Sequence, residues 1–214
     1  MTTSEFITAF VTLFVVVDPI GLVPLFLALT QGMDARARLA VGLRALVIAA
    51  ILLTLFGLFG DRLLAGIGIS MPAFRIAGGM LLFLTALDML FERRTQRREG
   101  QSAEAALEPA HDPSVFPLAT PLIAGPGAMA TMILLAGSGH GGLHLFEVHG
   151  VMLAVLACVL ALFLLATPLE RALGRTGTMV VTRLLGMLLA ALAVQFILDG
   201  LRGAGIIASL PIAR

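Results

Sequence analysis

The chain has 214 residues, of which 59% are hydrophobic and only 13% are charged. Soluble domains carry about 25% charged residues, so this composition excludes an ordinary soluble protein and indicates a polytopic membrane protein. The formal net charge of +1 argues against a nucleic-acid partner. The single cysteine, Cys158, excludes an intrachain disulfide.

Six apolar runs have about the length that a transmembrane helix needs, which is roughly 20 residues. They cover residues 6–29, 39–59, 69–91, 115–136, 150–165 and 179–198. No basic segment precedes the first run, so we interpret it as a retained span and not as a cleaved signal peptide. The sequence therefore predicts an all-α polytopic membrane protein with six transmembrane helices in the bacterial inner membrane.

Arginines are concentrated in the connections on one side of the predicted membrane domain, eight against three. The eight are Arg36, Arg38, Arg93, Arg94, Arg97, Arg98, Arg171 and Arg175, and the three are Arg62, Arg202 and Arg214. Because basic loops stay in the cytoplasm, six spans then place both termini outside.

A polar stretch at residues 92–113 divides the chain into two three-helix units, residues 1–91 and residues 114–214. It mixes Glu, Arg, Gln, Ser and Ala, a composition that predicts a flexible cytoplasmic linker. The two units together form one membrane domain.

Similar landmarks recur in both units, in the same order and at nearly constant offsets. Pro19 matches Pro126, Arg75 matches Arg183 and Asp61 matches Glu170, at offsets of 107, 108 and 109 residues. Chance similarity among apolar helices is the alternative. Because each unit has an odd number of spans, a true repeat enters the membrane from the opposite side. The pattern predicts two inverted three-helix repeats, as in many secondary transporters.

The first span contains a carboxylate and two prolines where a continuous helix is expected. Proline lacks an amide hydrogen, and an ionisable group in hydrocarbon is costly and marks a functional site. We expect an unwound stretch from Asp18 to Val23, caused by Pro19 and Gly21, with Pro24 in the first turn of the next half-helix.

The fourth span is interrupted in the same way between Ala124 and Ala128, and Pro126 is expected to begin its second half-helix. Starts of half-helices present amide donors, and the ends before them present carbonyls. A small zwitterion would fit between the breaks, with its carboxylate on the amides and its ammonium on carbonyls or on Asp18. The alternative is a pair of proline kinks, with Asp18 satisfied by a hydroxyl, an arginine or water.

These considerations define a predicted substrate site that draws on both breaks. It comprises Asp18, Pro19, Ile20, Gly21, Ala124, Gly125, Pro126, Gly127 and Ala128.

Arg75 and Arg183 begin the third and sixth spans and are expected to have a structural or gating role. Their expected partners are Asp61 and Glu170. Direct contact with a substrate carboxylate and snorkelling to the interface are the open alternatives.

Enzymatic and metal-binding functions are not predicted. The sequence contains no HExxH or GxSxG motif. Asp18 and Asp88 are expected at different membrane depths, too far apart for a catalytic pair. The spacing of His140, His144 and His149 matches no standard zinc site.

Four stretches resemble the MarC family of bacterial and archaeal membrane proteins. They lie at residues 18–26, 74–79, 117–127 and 193–201 and read DPIGLVPLF, FRIAGG, PLATPLIAGPG and AVQFILDGL. The resemblance implies two inverted three-helix repeats, interrupted first and fourth helices, and transport of small neutral amino acids such as glycine and alanine.

We therefore expect a secondary transporter that works by alternating access on a small zwitterion. No cofactor is expected, although a proton or sodium ion would be a suitable coupling ion. A channel or a broader-specificity exporter of small molecules is the alternative.

Overall fold

Helices are the only regular secondary structure in the part of the chain that the computed structural model describes, which is residues 2–93, 96–100, 112–139 and 141–207. In chain order they are α1 (Thr3–Val17), α2 (Pro19–Leu29), α3 (Ala35–Gly66), α4 (Met71–Leu90), α5 (Ser114–Ile123), α6 (Pro126–Ala136), α7 (Gly142–Leu164) and α8 (Ala166–Gly203). A further short helical segment covers residues 96–100.

Five helical stretches are long and apolar enough to cross a membrane, and α5 with α6 supplies a sixth if this bent pair counts as one span. The first span combines α1 and α2 over 27 residues, and α5 meets α6 at 54°. The predicted all-α membrane fold is thus confirmed, with the break in the fourth span in the expected place.

Two helices extend beyond the apolar runs of the sequence. α3 has 32 residues and α8 has 38. The predicted loop between the fifth and sixth spans is helical, because α8 already begins at Ala166. Its helical geometry is interrupted only at Gly174, whose φ of 59° suits a residue without a side chain.

The predicted linker at residues 92–113 is described only in part. Residues 101–111 lie outside the described part of the chain, as do Arg94, His140 and Arg214.

The start of the second unit is fixed to α3 by a carboxylate. Asp112 pairs with Arg44 and accepts a hydrogen bond from the hydroxyl of Ser114 at 2.7 Å. The Ser114 hydrogen bond, assisted by Arg44, lowers the pKa of Asp112 below its ordinary value.

The divided helices occupy the interior of the fold. In the first span 61% of an 18-residue stretch is buried, against 22–33% in α3, α4, α7 and α8. α6 is buried along nearly its whole length. The surrounding helices expose large apolar side chains, which suit contact with lipid, such as Val47, Ile51, Leu55, Leu184, Met187 and Leu188.

α4 and α8 form the most extensive helix pair, and glycines allow their close approach. A Cβ atom at Gly79 would lie 2.8 Å from the carbonyl oxygen of Ala193. One at Gly200 would lie 2.9 Å from the carbonyl oxygen of Pro72. Small residues at membrane helix interfaces favour association because they let the backbones touch.

We predict that Gly79→Ala destabilises the protein, because the added methyl group meets rigid backbone atoms of α8. Overpacking of this kind costs about 1–3 kcal/mol. The measurement is thermal unfolding of the detergent-solubilised protein. Gly150→Ala in α7 is the matched control, since no atom lies within 4 Å of the added Cβ. Equal melting temperatures for the two variants would contradict the close packing of α4 and α8.

Candidate functional site

Asp18 divides the first span into two helices and caps both. Its backbone angles, φ 57° and ψ 63°, are left-handed, a conformation that aspartate adopts more readily than most residues. Its amide donates to the carbonyl of Phe14 at 2.8 Å, and its own carbonyl accepts from the amide of Leu22 at 3.1 Å. Its Oδ1 atom accepts a hydrogen bond from the amide of Gly21 at 3.2 Å. Asp18 therefore ends α1 and begins α2.

The break at Asp18 is shorter than the sequence predicts. α2 begins directly at Pro19, and Pro24 lies inside that helix, not in its first turn. The expected unwound stretch from Asp18 to Val23 is therefore wrong in extent. Proline needs no amide partner at the first helical position and the Asp18 side chain caps the next turn, so the helix restarts at once.

A guanidinium group reaches Asp18 from the segment at residues 96–100. Nη1 of Arg98 donates to Oδ2 of Asp18 at 3.1 Å, and Nη2 donates to the carbonyl oxygen of Val17 at 3.2 Å. Asp18 is 1% exposed and Arg98 is 6% exposed. Removing two ions from water is costly, so each of these groups requires the other.

The position of Arg98 differs from the sequence expectation. The sequence places Arg98 among the basic residues of a cytoplasmic connection, whereas the structure buries it beside the first break. An arginine partner is also what the alternative to a binding site predicts for Asp18. The ion pair alone therefore does not distinguish a substrate site from a kink, and the surrounding geometry is needed for that distinction.

The second break follows an irregular segment. α5 contains two residues with extended backbone angles, Phe116 and Thr120, each preceding a proline. α6 begins at Pro126, as the sequence predicts, and its cap residue Gly125 has no side chain to bind the first amides. A Cβ atom at Gly125 would lie 2.5 Å from the carbonyl oxygen of Pro121, so the chain path at this break requires glycine.

The two breaks are close together across the contact between α1 and α6. A Cβ atom at Gly127 would lie 3.3 Å from Cγ1 of Val16, two residues before Asp18. The same position would lie 3.8 Å from the hydroxyl oxygen of Thr85 on α4. The start of α6 thus faces the end of α1 over small side chains.

The start of α2 lines a cavity of about 230 Å³, which we call the α2 cavity. Ile20 and Gly21 line it together with Gln96 and Glu99 of the short helical segment. Glu170, a predicted gating residue, also lines this cavity.

The start of α6 lines a second cavity of about 280 Å³, which we call the α6 cavity. Residues 125–128 line it together with Arg97 and Arg98. Thr85 and Asp88 of α4 complete its polar wall.

Six of the nine residues of the predicted site line one of these two cavities. The segment at residues 96–100 contributes to the walls of both. Asp18, Pro19 and Ala124 line neither cavity, and the carboxylate of Asp18 is paired with Arg98.

The predicted gating arginines have other partners than expected in the described part of the chain. Arg75 donates to the carbonyl oxygen of Gly137 at 3.2 Å. The carboxylate of Asp61 lies beside the same glycine, 2.9 Å from where its Cβ atom would be. Arg183 pairs with Glu92 at 2.8 Å. The gating role stays a prediction, but its pairing scheme changes.

Arg98 is the polar group at the first break that sequence reasoning missed. The available signal was the requirement that a buried carboxylate have a cation or several donors as partners. Four arginines at positions 93, 94, 97 and 98 lie in the polar connection, and the sequence does not indicate which one is buried.

Of the histidines at positions 140, 144 and 149, the latter two form hydrogen bonds within the protein. A ring nitrogen of His144 lies 2.9 Å from the carbonyl oxygen of Leu135, and Nδ1 of His149 lies 2.7 Å from that of Leu145. Both histidines belong to α7 and not to a loop. Within the described ranges no group of three or more His, Cys, Asp or Glu side chains is placed to hold a metal ion.

The fold and its interior breaks define a multi-pass integral membrane protein. The family description "MarC family integral membrane protein" matches residues 3–205. The chain belongs to this family.

Curated relatives cover nearly the whole chain. A UPF0056 membrane protein of Methanocaldococcus jannaschii is 37% identical over 95% of this chain and 99% of its own length. The UPF0056 membrane protein YhcE of Escherichia coli is 35% identical over 91% of this chain and 90% of its own. YvbG of Bacillus subtilis is 37% identical over 94% and 95%. No solved structure matches the chain.

We predict that Arg98→Met lowers the free energy of unfolding by about 3–5 kcal/mol, because it leaves the Asp18 carboxylate buried without a cation. The double variant Asp18→Asn/Arg98→Met should lose less than the sum of the two single variants. The measurement is unfolding of the detergent-solubilised protein across this double-mutant cycle.

Arg97→Met is the control for this cycle. The side chain of Arg97 is 66% exposed and pairs with Asp88 at 3.1 Å, and such pairs contribute about 0–1 kcal/mol. Additive losses in the Asp18 and Arg98 cycle would show that the two buried groups are not coupled.

Proposed function

We propose that this protein is a secondary transporter of small neutral zwitterions, with glycine and alanine as the model substrates. It works by alternating access around the two helix breaks. In this proposal the two three-helix units are inverted repeats, and both termini lie outside the inner membrane.

The observation that carries the proposal is the close approach of two interior helix breaks with complementary polarity. The first break presents the buried carboxylate of Asp18 and the carbonyl oxygen of Val17, both of which accept hydrogen bonds. The second presents the start of α6, whose first amides have no side-chain cap and whose first residues line the α6 cavity. Interrupted interior helices are the usual substrate sites of secondary transporters.

A zwitterionic amino acid matches this polarity. Its carboxylate would bind the amides of Gly127 and Ala128 at the positive end of α6. Its ammonium group would bind Asp18 and the Val17 carbonyl. Small residues at both breaks would let a ligand approach the backbone closely, which favours small substrates such as glycine and alanine.

The remaining site residues shape the backbone around this ligand. Pro19 and Pro126 begin the two half-helices, and Ile20 and Gly21 follow the first of them. Ala124 and Gly125 allow the tight bend before the second. Arg75 and Arg183 are assigned to gating together with Asp61 and Glu170, and a proton or a sodium ion is the proposed coupling ion.

The position of residues 96–100 in the walls of both the α2 cavity and the α6 cavity supports a carrier over the alternative of a channel. A channel needs a continuous polar path, whereas a carrier exposes its site to one side at a time. The residues at 96–100 lie in the walls of both cavities, where they would interrupt such a path.

We predict that Asp18→Asn and Gly125→Leu each reduce glycine counterflow in proteoliposomes by about tenfold or more. The first loses a charge-assisted hydrogen bond to the ammonium group, and the second fills the approach to Pro121. Saturable counterflow of radiolabelled glycine and alanine is the measurement, with thermal unfolding as the check on folding.

Asp34→Asn is the matched control for Asp18→Asn. Asp34 is an exposed carboxylate that caps α3 by accepting from the amide of Ala37 at 2.7 Å, and asparagine caps equally well. Full transport by folded Asp18→Asn and Gly125→Leu would refute the site. The absence of glycine and alanine counterflow by the wild-type protein would refute the substrate class.

A further inference from the structure

The cation position at Asp18 is already filled by the protein itself. Arg98 donates one hydrogen bond to the carboxylate of Asp18 and one to the carbonyl oxygen of Val17. These are the two acceptors that the ammonium group of a bound zwitterion would use. A guanidinium and an ammonium group cannot occupy the same two acceptors at once.

The segment that carries Arg98 is held to its neighbours by exposed contacts. Arg97 pairs with Asp88 of α4 at 3.1 Å, and Glu99 lies 3.7 Å from Arg175 of α8. The side chains of Arg97 and Arg175 are 66% and 82% exposed, and such pairs contribute little to stability. The Asp18 pair is the buried attachment of this segment among its described ion pairs.

The segment also contributes to the walls of both cavities. Its residues Gln96 and Glu99 line the α2 cavity, and its residues Arg97 and Arg98 line the α6 cavity. Withdrawal of Arg98 would uncover the carboxylate of Asp18 and remove part of the wall of the α6 cavity. The same movement would therefore open the site and create its cation position.

We propose that Arg98 is a tethered cation that closes the substrate site, and that a substrate ammonium group binds Asp18 only by displacing it. Residues 96–100 are then an internal plug and not a passive connection. This inference rests on the proposed function for the identity of the substrate, but the cation position itself is tested without any transport.

The consequence for affinity follows from competition. A ligand that binds only the open form has an apparent dissociation constant raised by the inverse of the open fraction. Removal of Arg98 removes the internal competitor, so a folded Arg98→Ala variant should bind glycine more tightly than the wild type. A residue that contacts the substrate directly would give the opposite result.

The first test uses methylammonium chloride as a probe of the vacated cation position. Methylammonium should raise the melting temperature of purified Arg98→Ala, because a ligand of the folded state stabilises it. It should have little effect on the wild type, on Asp18→Asn/Arg98→Ala or on the control Arg202→Ala, whose arginine pairs with Asp199 and lines neither cavity. Tetramethylammonium chloride, which has the same charge but no N–H donor, controls for ionic strength.

The second test compares glycine binding by the same variants. Arg98→Ala should bind glycine about tenfold or more tightly than the wild type, and Arg202→Ala should stay close to the wild type. Isothermal titration calorimetry or glycine-dependent thermal stabilisation gives the dissociation constants. If Arg98→Ala does not accumulate, Arg98→Met, which fills more of the space but has no hydrogen-bond donor, takes its place in both tests.

The outcomes separate this inference from the proposed function. Equal effects of methylammonium on all variants, or weaker glycine binding by Arg98→Ala than by the wild type, would overturn the plug. If methylammonium acts only on Arg98→Ala while glycine binds none of the proteins, the displaceable cation stands and the proposed substrate class fails.

Discussion

The burial of a carboxylate at a helix break requires hydrogen-bond donors and a cation around it, and the rest of the interior is arranged to supply them. Asp18 is nearly inaccessible, and the break around it leaves backbone groups that water cannot reach. Three kinds of contact satisfy these groups. The amide of Gly21 and the guanidinium of Arg98 donate to the Asp18 carboxylate, and backbone hydrogen bonds of Asp18 complete the end of α1 and the start of α2. One residue thereby caps two helices, α1 through its backbone amide and α2 through its side chain, and its carboxylate also binds the segment at residues 96–100. The steric fit is equally tight, because any Cβ atom at Gly21 would collide with the Asp18 carboxylate.

The second break also interrupts a helix in the interior, but no ionised side chain of its own residues caps it. Gly125 approaches the Pro121 carbonyl closely, and α6 begins at Pro126 with no side chain bound to its first amides. One break therefore offers acceptors and the other offers donors, although both arise from proline and glycine in an apolar helix. This difference gives the region a polarity that a symmetric pair of kinks would lack. Substitutions at the two breaks should therefore impair the site for different reasons, which are electrostatic at Asp18 and steric at Gly125.

Local chemistry made much of this fold predictable from the sequence. Apolar length identified the spans, and Pro126 identified the start of α6, because proline and glycine act on their own neighbourhood. The extent of the first break was overestimated, because Pro24 is accommodated within α2. Arg98 could not be assigned, since its partner is 80 residues away and four nearby arginines are equivalent in composition. The partners of Arg75 and Arg183 were missed for the same reason. Pairing between helices depends on the depth of each residue in the membrane and on the rotation of each helix, and the periodicity of uniformly apolar helices indicates neither.

The separation of Asp18 from Arg98 along the chain also governs how the protein enters the membrane. Synthesis proceeds at about 5–20 residues per second, so Arg98 emerges about 4–16 seconds after Asp18. During this interval the first span carries a carboxylate whose eventual cation does not yet exist. Until the third span and Arg98 have been made, that carboxylate needs water or the insertion machinery as its hydrogen-bonding partner. Folding around the first break is therefore complete only after a residue 80 positions further along the chain has been made.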